Sequence, residues 1–562
     1  MNGTASPLDP DLERVARDWI AADPDPATRE ELERLLADSD ATVLHERFDH
    51  PLTFGTAGLR GVEGAGPGAM NCLVVRRTAQ GVADWITSKG DAAMRAGVVV
   101  GRDARRGSAA FARETTDVLS RGGIAVHEFA RPLPTPLAAF SVRHLRAAGG
   151  VVVTASHNPA RDNGYKVYDE DGSQIVPPVD EQIEAAARRR AVEPPPQASV
   201  PGVVATIDDE ALLAAYEARL ATLVDPMGPR DLLVAYTPLH GVGGAVVPGL
   251  LRRAGFTVEE VAEQAEPDPA FPTVPFPNPE EPGALDLAIA LARRIGADLV
   301  VANDPDADRL CVAVPDRGSF RPLSGDELGA ILGDVRCAAT SGEDRLAATT
   351  IVSSSMLAEI AASHGVAFAE TLTGFKWLGR AGAERGRRLV FAYEEALGYA
   401  VSDAVADKDG MSAALLACAV AAQRKADGSS LLEALDELSS RFGVHATVQR
   451  SYRREGAGGQ DAIAATVEGL LTSPPTSLGG AAVSDVEDLA MGVDGLPATE
   501  GVRLRCASVI RVVVRPSGTE PKLKAYVEVV QPPVPRGDVV TSRERARAIL
   551  DAVVADVDAI CG

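Results

Sequence analysis

Three stretches of this chain, near residues 97–122, 231–255 and 345–365, run in the same order: a short apolar strand, a turn of small residues, a helical pattern. Short apolar strands that alternate with amphipathic helices imply parallel α/β units, because parallel strands must be joined by a crossover. A length of 562 residues and 46% apolar content leave room for about four such cores. Clusters of proline and glycine at 193–202, 266–283, 472–480 and 531–537 cannot sit inside helices or central strands and read as loops or linkers. The end of the chain differs. VIRVVVRPSGTEPKLKAYVEVV has two strand-like runs around a polar loop, and SRERARAILDAVVADVDAI closes it as a helix, so a small α+β domain is expected there. The first 50 residues are charged and helix-prone, which predicts a solvated helical extension. The expected division is 1–205, 206–318, 319–440 and 441–562.

Charge narrows the partners. With 56 Lys and Arg against 79 Asp and Glu, the net charge is −23, so the overall field repels nucleic acid and anionic membrane surfaces. An anionic ligand must be met by a local basic pocket. No apolar run approaches the roughly 20 residues that span a bilayer, and the N-terminus lacks a basic segment followed by an apolar core. Six cysteines are scattered without close spacing, which argues against a disulfide framework or a thiolate zinc site and suits a reducing cytoplasm.

Three segments carry chemistry. An apolar strand, VVVT, breaks into Ala155-Ser156-His157-Asn158-Pro159, placing a hydroxyl at the strand's C-terminal end, where open α/β sheets bind ligands. Ser156 is the leading nucleophile, although an isolated SHNP is more often a tight turn. A Ser-His-Asp triad through the adjacent His157 is a second reading, weakened by the lack of a GxSxG elbow. After the strand ADLVVA, Asn303-Asp304-Pro305-Asp306-Ala307-Asp308-Arg309 sets carboxylates at every second position, and three such anions in one loop repel unless a hard cation lies between them. Magnesium is the natural guest; a solvated acidic turn is the alternative. Arg515-Pro516-Ser517-Gly518-Thr519-Glu520-Pro521-Lys522 offers a guanidinium, hydroxyls and amides around a glycine, a nest suited to phosphate, though a hairpin turn fits equally. Arg60 in GTAGLRG and Lys166 in NGYK add cations of weaker individual signal.

Taken in order, GTAGLRG, TASHNP, NGYK, DPDADR, TGFKWLG, EEALG and RPSGTEPK resemble the α-D-phosphohexomutase superfamily from about residue 50 to the C-terminus. The resemblance implies three similar α/β domains and a last α+β domain of TATA-binding-protein-like shape around a central cleft. It implies that Ser156 is the phosphoserine, that Asp304, Asp306 and Asp308 hold Mg2+ together with an oxygen on Ser156, and that Lys166 is the general acid or base. It further implies that Arg60, His157 and Arg309 line the reaction centre, that Lys376 and Glu394 contact the sugar, and that Arg515, Ser517, Gly518 and Thr519 bind phosphate. The implied function is a mutase moving phosphate between C1 and C6 of glucose or mannose phosphate, primed by a hexose 1,6-bisphosphate. A monomer or small homo-oligomer with sugar phosphates as its partners is expected. One departure matters: hexose-specific members related to animal phosphoglucomutase carry a serine where this chain has Ala396. A pentose phosphate mutase is therefore the alternative, and a non-catalytic sugar-phosphate sensor is the alternative from another class.

Overall fold

A computed structural model of the chain describes residues 8–55, 58–190, 197–454, 459–507, 509–517 and 522–562. Three helices come first, Pro10–Ala22, Pro26–Ala37 and Ala41–Phe48, and each begins where an aspartate (Asp9, Asp25, Asp40) accepts a hydrogen bond from a first-turn amide. Leu12, Ala16, Trp19, Leu32 and Leu44 form a small core that closes onto Ala65 and Leu73. The extension is thus packed onto the first α/β layer, with its charged faces outward.

The first sheet orders its strands Leu59–Val62, Asp162–Asp169, Gly149–Val153, Val98–Arg102, Val126–Phe129, Val204–Ile207. The last four run parallel, whereas Asp162–Asp169 returns antiparallel to Gly149–Val153. The second sheet runs Ser319–Pro322, Leu310–Asp316, Leu299–Asn303, Leu233–Thr237, Thr257–Glu260, with Leu310–Asp316 antiparallel to Leu299–Asn303. It continues to Pro322, beyond residue 318, because Ser319–Pro322 pairs with the preceding strand. The third orders Ala367–Thr371, Arg345–Thr350, Arg388–Glu394 and Gly398–Ala400, the last again antiparallel to its predecessor. Each layer repeats one device: a parallel strand, a loop, and an antiparallel return. The three loops hold Ser156, the three aspartates and Glu394-Glu395-Ala396-Leu397.

The loops meet. Leu310 donates its amide to the carbonyl of Leu397 (3.0 Å), and Thr135 donates its amide to the carbonyl of Asp306 (3.0 Å). Helix Gly410–Ala426 is apolar on nearly every face and buried, as a helix between layers must be.

The fourth sheet is wholly antiparallel, in the order Val444–Arg453, Lys522–Gln531, Ile510–Pro516, Val502–Cys506, Asp485–Asp488. Alternation sorts its faces: Val512 and Val514 pack under helices Gly459–Thr472 and Val539–Cys561, while Val513 and Tyr526 pack on Ile351, Val352 and Leu372 of the third layer. The chain therefore has three α/β layers and a terminal α+β domain. Among the described residues no helix is long and apolar enough to cross a membrane, and the six cysteines are free and buried.

Candidate active site

The loop after Gly149–Val153 holds Ser156 at φ 51°, in the left-handed region that non-glycine residues avoid. Its neighbours enforce that geometry. The Ser156 amide donates to Thr154 Oγ1 (2.9 Å). The Arg105 guanidinium, 4% exposed, donates to the carbonyls of Ser156 (2.7 Å), Asn158 (2.6 Å), Pro159 (2.7 Å) and Asp162 (2.9 Å). Lys166 lies opposite Val152 in the antiparallel return, so strand register aims it toward the same loop region. Gly164 lets the strands close up: a Cβ there would meet the Thr154 carbonyl at 2.5 Å.

The aspartate loop turns at Ala307 (φ 56°) between Leu299–Asn303 and its return strand. Asn303 donates to the Arg309 carbonyl (2.6 Å) and accepts from Tyr236 (3.1 Å), which ties the loop's two ends together. Asp304 Oδ1 accepts from the Arg309 amide (3.0 Å), and its Oδ2 accepts from Ser156 Oγ (2.7 Å). Asp306 Oδ2 accepts from Thr135 Oγ1 and from Lys166 Nζ, both at 2.8 Å. Asp308 Oδ2 accepts from Lys166 Nζ (2.8 Å) and lies 3.2 Å from Lys408 Nζ.

All three carboxylates are fully buried, and each can offer an oxygen within 4.8 Å of the others. Asp306 Oδ1 and Asp308 Oδ1 have no hydrogen-bond partner. Buried anionic oxygens without donors, next to a serine hydroxyl and with no sulfur or nitrogen ligand, fit a hard divalent cation of the magnesium type.

Electrostatics agree with this packing. Burial alone would lower the Lys166 pKa, but Asp306 and Asp308 outweigh it and hold the ammonium above the ordinary lysine value. Burial and Asp306 push Asp308 up, yet Lys166, Lys408 and Arg309 leave it below the usual carboxylate range. Burial, then Arg309 and Arg60, drives His157 well below the ordinary histidine value, so its ring is neutral at pH 7. His157 Nδ1 is 3.2 Å from Ser156 Oγ and 3.9 Å from Asp304 Oδ2. That geometry does not support the triad reading, in which the carboxylate orients the histidine through its far nitrogen; here Asp304 bonds the serine directly.

The other anticipated residues divide into near and far. Arg60 donates to Asn158 Oδ1 (3.3 Å) beside the serine loop. Arg309 lies 3.8 Å from Glu280 and 4.0 Å from Glu394, joining the second and third loops. Lys376 lies 3.7 Å from Asp180 of the first layer, and burial lowers its pKa. Arg515 pairs in register with Lys524, and the Ser517 amide donates to the Lys522 carbonyl (2.8 Å). Gly518 and Thr519 fall outside the described residues.

Comparison with known proteins is decisive about kinship. Residues 51–192, 213–318 and 324–438 match the family models for phosphoglucomutase/phosphomannomutase alpha/beta/alpha domains I, II and III, and 486–533 match that for the C-terminal domain. The chain belongs to the phosphoglucomutase/phosphomannomutase family. It is an intramolecular phosphotransferase of that type. It is 35% identical to the phosphopentomutase of Homo sapiens over 93% of this chain and 92% of that one. It is 34% identical to the phosphoglucomutase of Staphylococcus haemolyticus over 88% and 93%. A phosphoglucomutase/phosphomannomutase family structure from Burkholderia thailandensis shares the fold at TM-score 0.66 and 20% identity, over 89% of this chain and 97% of that one.

Within this phosphoglucomutase/phosphomannomutase frame, sequence reasoning missed Arg105, Thr135, Lys408, Glu280 and Lys524. Arg105 in GRDARRG and Lys408 in ADKDGM are charges at the edge of strongly apolar stretches, and that was the available signal. Thr135 gave none, because its partner Asp306 is 171 residues away. Glu395, beside Glu394, accepts from Thr350 (3.2 Å) and Ser353 (3.0 Å), and burial, Glu394 and Asp326 push its carboxyl up to about 7.

Proposed function

We propose that the chain is a phosphosugar mutase in which Ser156 is the phosphoryl carrier and a hexose phosphate of the glucose or mannose type is the substrate. Phosphorylated Ser156 gives its phosphoryl group to the free hydroxyl of the sugar monophosphate. The resulting bisphosphate reorients, and its other phosphate returns to Ser156 Oγ. Lys166 Nζ, bonded to Asp306 and Asp308, gives a proton to the Ser156 oxygen as the phosphoryl group leaves it and takes up the proton that the attacking sugar hydroxyl loses, so its ammonium is restored. Arg309 and Glu394 orient the sugar, and Arg515, Ser517, Gly518 and Thr519 hold the phosphate that is not reacting, in either orientation. A magnesium ion held by Asp304, Asp306, Asp308 and an oxygen on Ser156 would neutralise charge on the phosphoryl group. A hexose 1,6-bisphosphate serves as the priming donor.

The supporting observation is the 2.7 Å hydrogen bond from Ser156 Oγ to a carboxylate whose two fellow aspartates carry donor-less buried oxygens. A pure sugar-phosphate sensor has no need of nucleophile, proton carrier and carboxylate cage together. A second reading, a pentose phosphate mutase working between O1 and O5, is favoured by Ala396, which removes a hydroxyl from the sugar loop, and by the human phosphopentomutase among the relatives. The test is turnover on glucose 1-phosphate, mannose 1-phosphate and ribose 1-phosphate side by side, with catalytic glucose 1,6-bisphosphate and magnesium. Preference for either hexose supports the first reading; preference for ribose 1-phosphate moves the chain to the second; no turnover on any of them sinks both.

A further inference from the structure

A polar cavity of about 350 Å³ lies away from the cleft, where helix Asp209–Leu220 meets the third layer. Three guanidiniums converge on it: Arg219 from that helix, Arg336 from the last turn of helix Gly325–Ala339, and Arg388 from the first residue of strand Arg388–Glu394. Strand geometry fixes the separation. Arg388 and Glu394 stand at opposite ends of one strand, about 20 Å apart at about 3.3 Å per residue, and Glu394 is the end that faces the cleft.

The positive charge there is only partly compensated. Among the described residues Asp403 is the one carboxylate lining the cavity, and it is already engaged 2.8 Å from Arg219. Arg388 has Asp344 at 3.5 Å, a largely solvated contact worth little, and donates to the Ser341 carbonyl. Arg336 has no ion-pair partner among the described residues, and its Nε is buried with no acceptor. Burial, and further along Arg388, hold the Arg336 guanidinium below its ordinary value against the opposing pull of Cys337 and Asp403. Arg219 and Arg388 each keep about half of their side-chain surface in solvent, so their charge is accessible to a ligand in a chain of net charge −23. Thr222, Ser341 and Ser402 also line the space, adding hydroxyls among the guanidiniums.

We propose that this cavity is a second anion site that takes a small phosphorylated metabolite. Planar guanidiniums that approach from different elements suit the several oxygens of a phosphate dianion, and hydroxyls suit its polyhydroxyl body. The volume falls in the range of small-molecule sites. A ligand there bridges helix Asp209–Leu220 to the third layer, so binding stabilises the assembled chain by mass action. The inference goes beyond the mutase reading; only the assignment of the other class of site to Arg515 in its test rests on that reading.

The test is calorimetric titration of the full chain with inorganic phosphate, with mutase turnover read separately. Wild type is expected to show two classes of site. Arg336→Gln with Arg388→Gln should remove one class and leave turnover unchanged, while Arg515→Gln should remove the other. Arg219→Gln, at the exposed rim, removes one guanidinium without disturbing a buried atom and should weaken the first class about tenfold. Isotherms of the Arg219 and Arg336/Arg388 variants that superimpose on wild type overturn the proposal. So does a single wild-type class that Arg515→Gln abolishes.

Discussion

Arg105 shows how much a site can depend on a residue that touches no substrate. Ser156 sits in a backbone conformation that is unfavourable by about 1–3 kcal/mol and persists only where its surroundings over-determine it. Four carbonyls held by one buried guanidinium supply that constraint. A lysine reaches one or two of them, and each charge-assisted hydrogen bond is worth about 1.5–3 kcal/mol. Arg105→Lys is therefore predicted to lower kcat about ten- to hundredfold with little change in KM, read from steady-state kinetics; a wild-type kcat would show that the loop holds itself. Lys166 poses the opposite case, a cation whose removal strands carboxylates. Lys166→Met should abolish turnover and lower the melting temperature of metal-free protein, since breaking a buried pair costs about 3–5 kcal/mol. Added magnesium should restore more of that melting temperature in the variant than in wild type. Equal metal responses would mean that Lys166 and the cation do not share Asp306 and Asp308.

At the scale of elements, three loops of the same construction were legible to different degrees. The serine and aspartate loops stood out because each breaks directly from an apolar strand with residues that make no sense as packing. The antiparallel returns did not, because neither Asp162–Asp169 nor the three-residue Gly398–Ala400 carries a two-residue hairpin signal. Those returns set Lys166 in register, so its role was readable from the motif while its placement was not. Lys376 was read with the sugar loop, and in the structure it stands against Asp180 of the first layer. Close approach between elements adds a testable constraint. Gly241 packs against the aspartate loop so tightly that a Cβ would lie 2.3 Å from Pro305 Cα. Gly241→Ala touches no ligand yet must displace the loop, and it is predicted to weaken magnesium activation about tenfold, measured as the metal concentration for half-maximal turnover. An unchanged metal response would show that the loop yields without moving its carboxylates.

Across the whole molecule, the fourth sheet is joined to the third layer through a buried charged cluster around Glu528. Glu528 accepts from Ser354 Oγ (3.0 Å), the Ser355 amide (2.7 Å) and Ser355 Oγ (3.0 Å), and pairs with Arg511 (2.8 Å). Burial pushes its carboxyl up, but Arg511 and His445 outweigh that and bring it down to about 2. A depressed folded pKa contributes stability that is present above the unfolded value, near 4.3, and is lost as pH falls toward 2; the contribution is on the order of 3 kcal/mol. Thermal melts from pH 3 to 7 should show Glu528→Gln less stable than wild type at pH 7, with the gap narrowing below pH 4. A gap independent of pH would remove the ionised carboxylate from the account. This docking brings Lys524, the sheet partner of Arg515, within electrostatic reach of Glu395 and Arg309, so the proposed reaction centre would draw on every layer. The most direct measurement of that claim is phosphopeptide mapping after the chain meets glucose 1,6-bisphosphate and magnesium. The account predicts phosphate on Ser156 alone and no turnover in Ser156→Ala; turnover that persists in that variant, or label that settles on another residue, would contradict it.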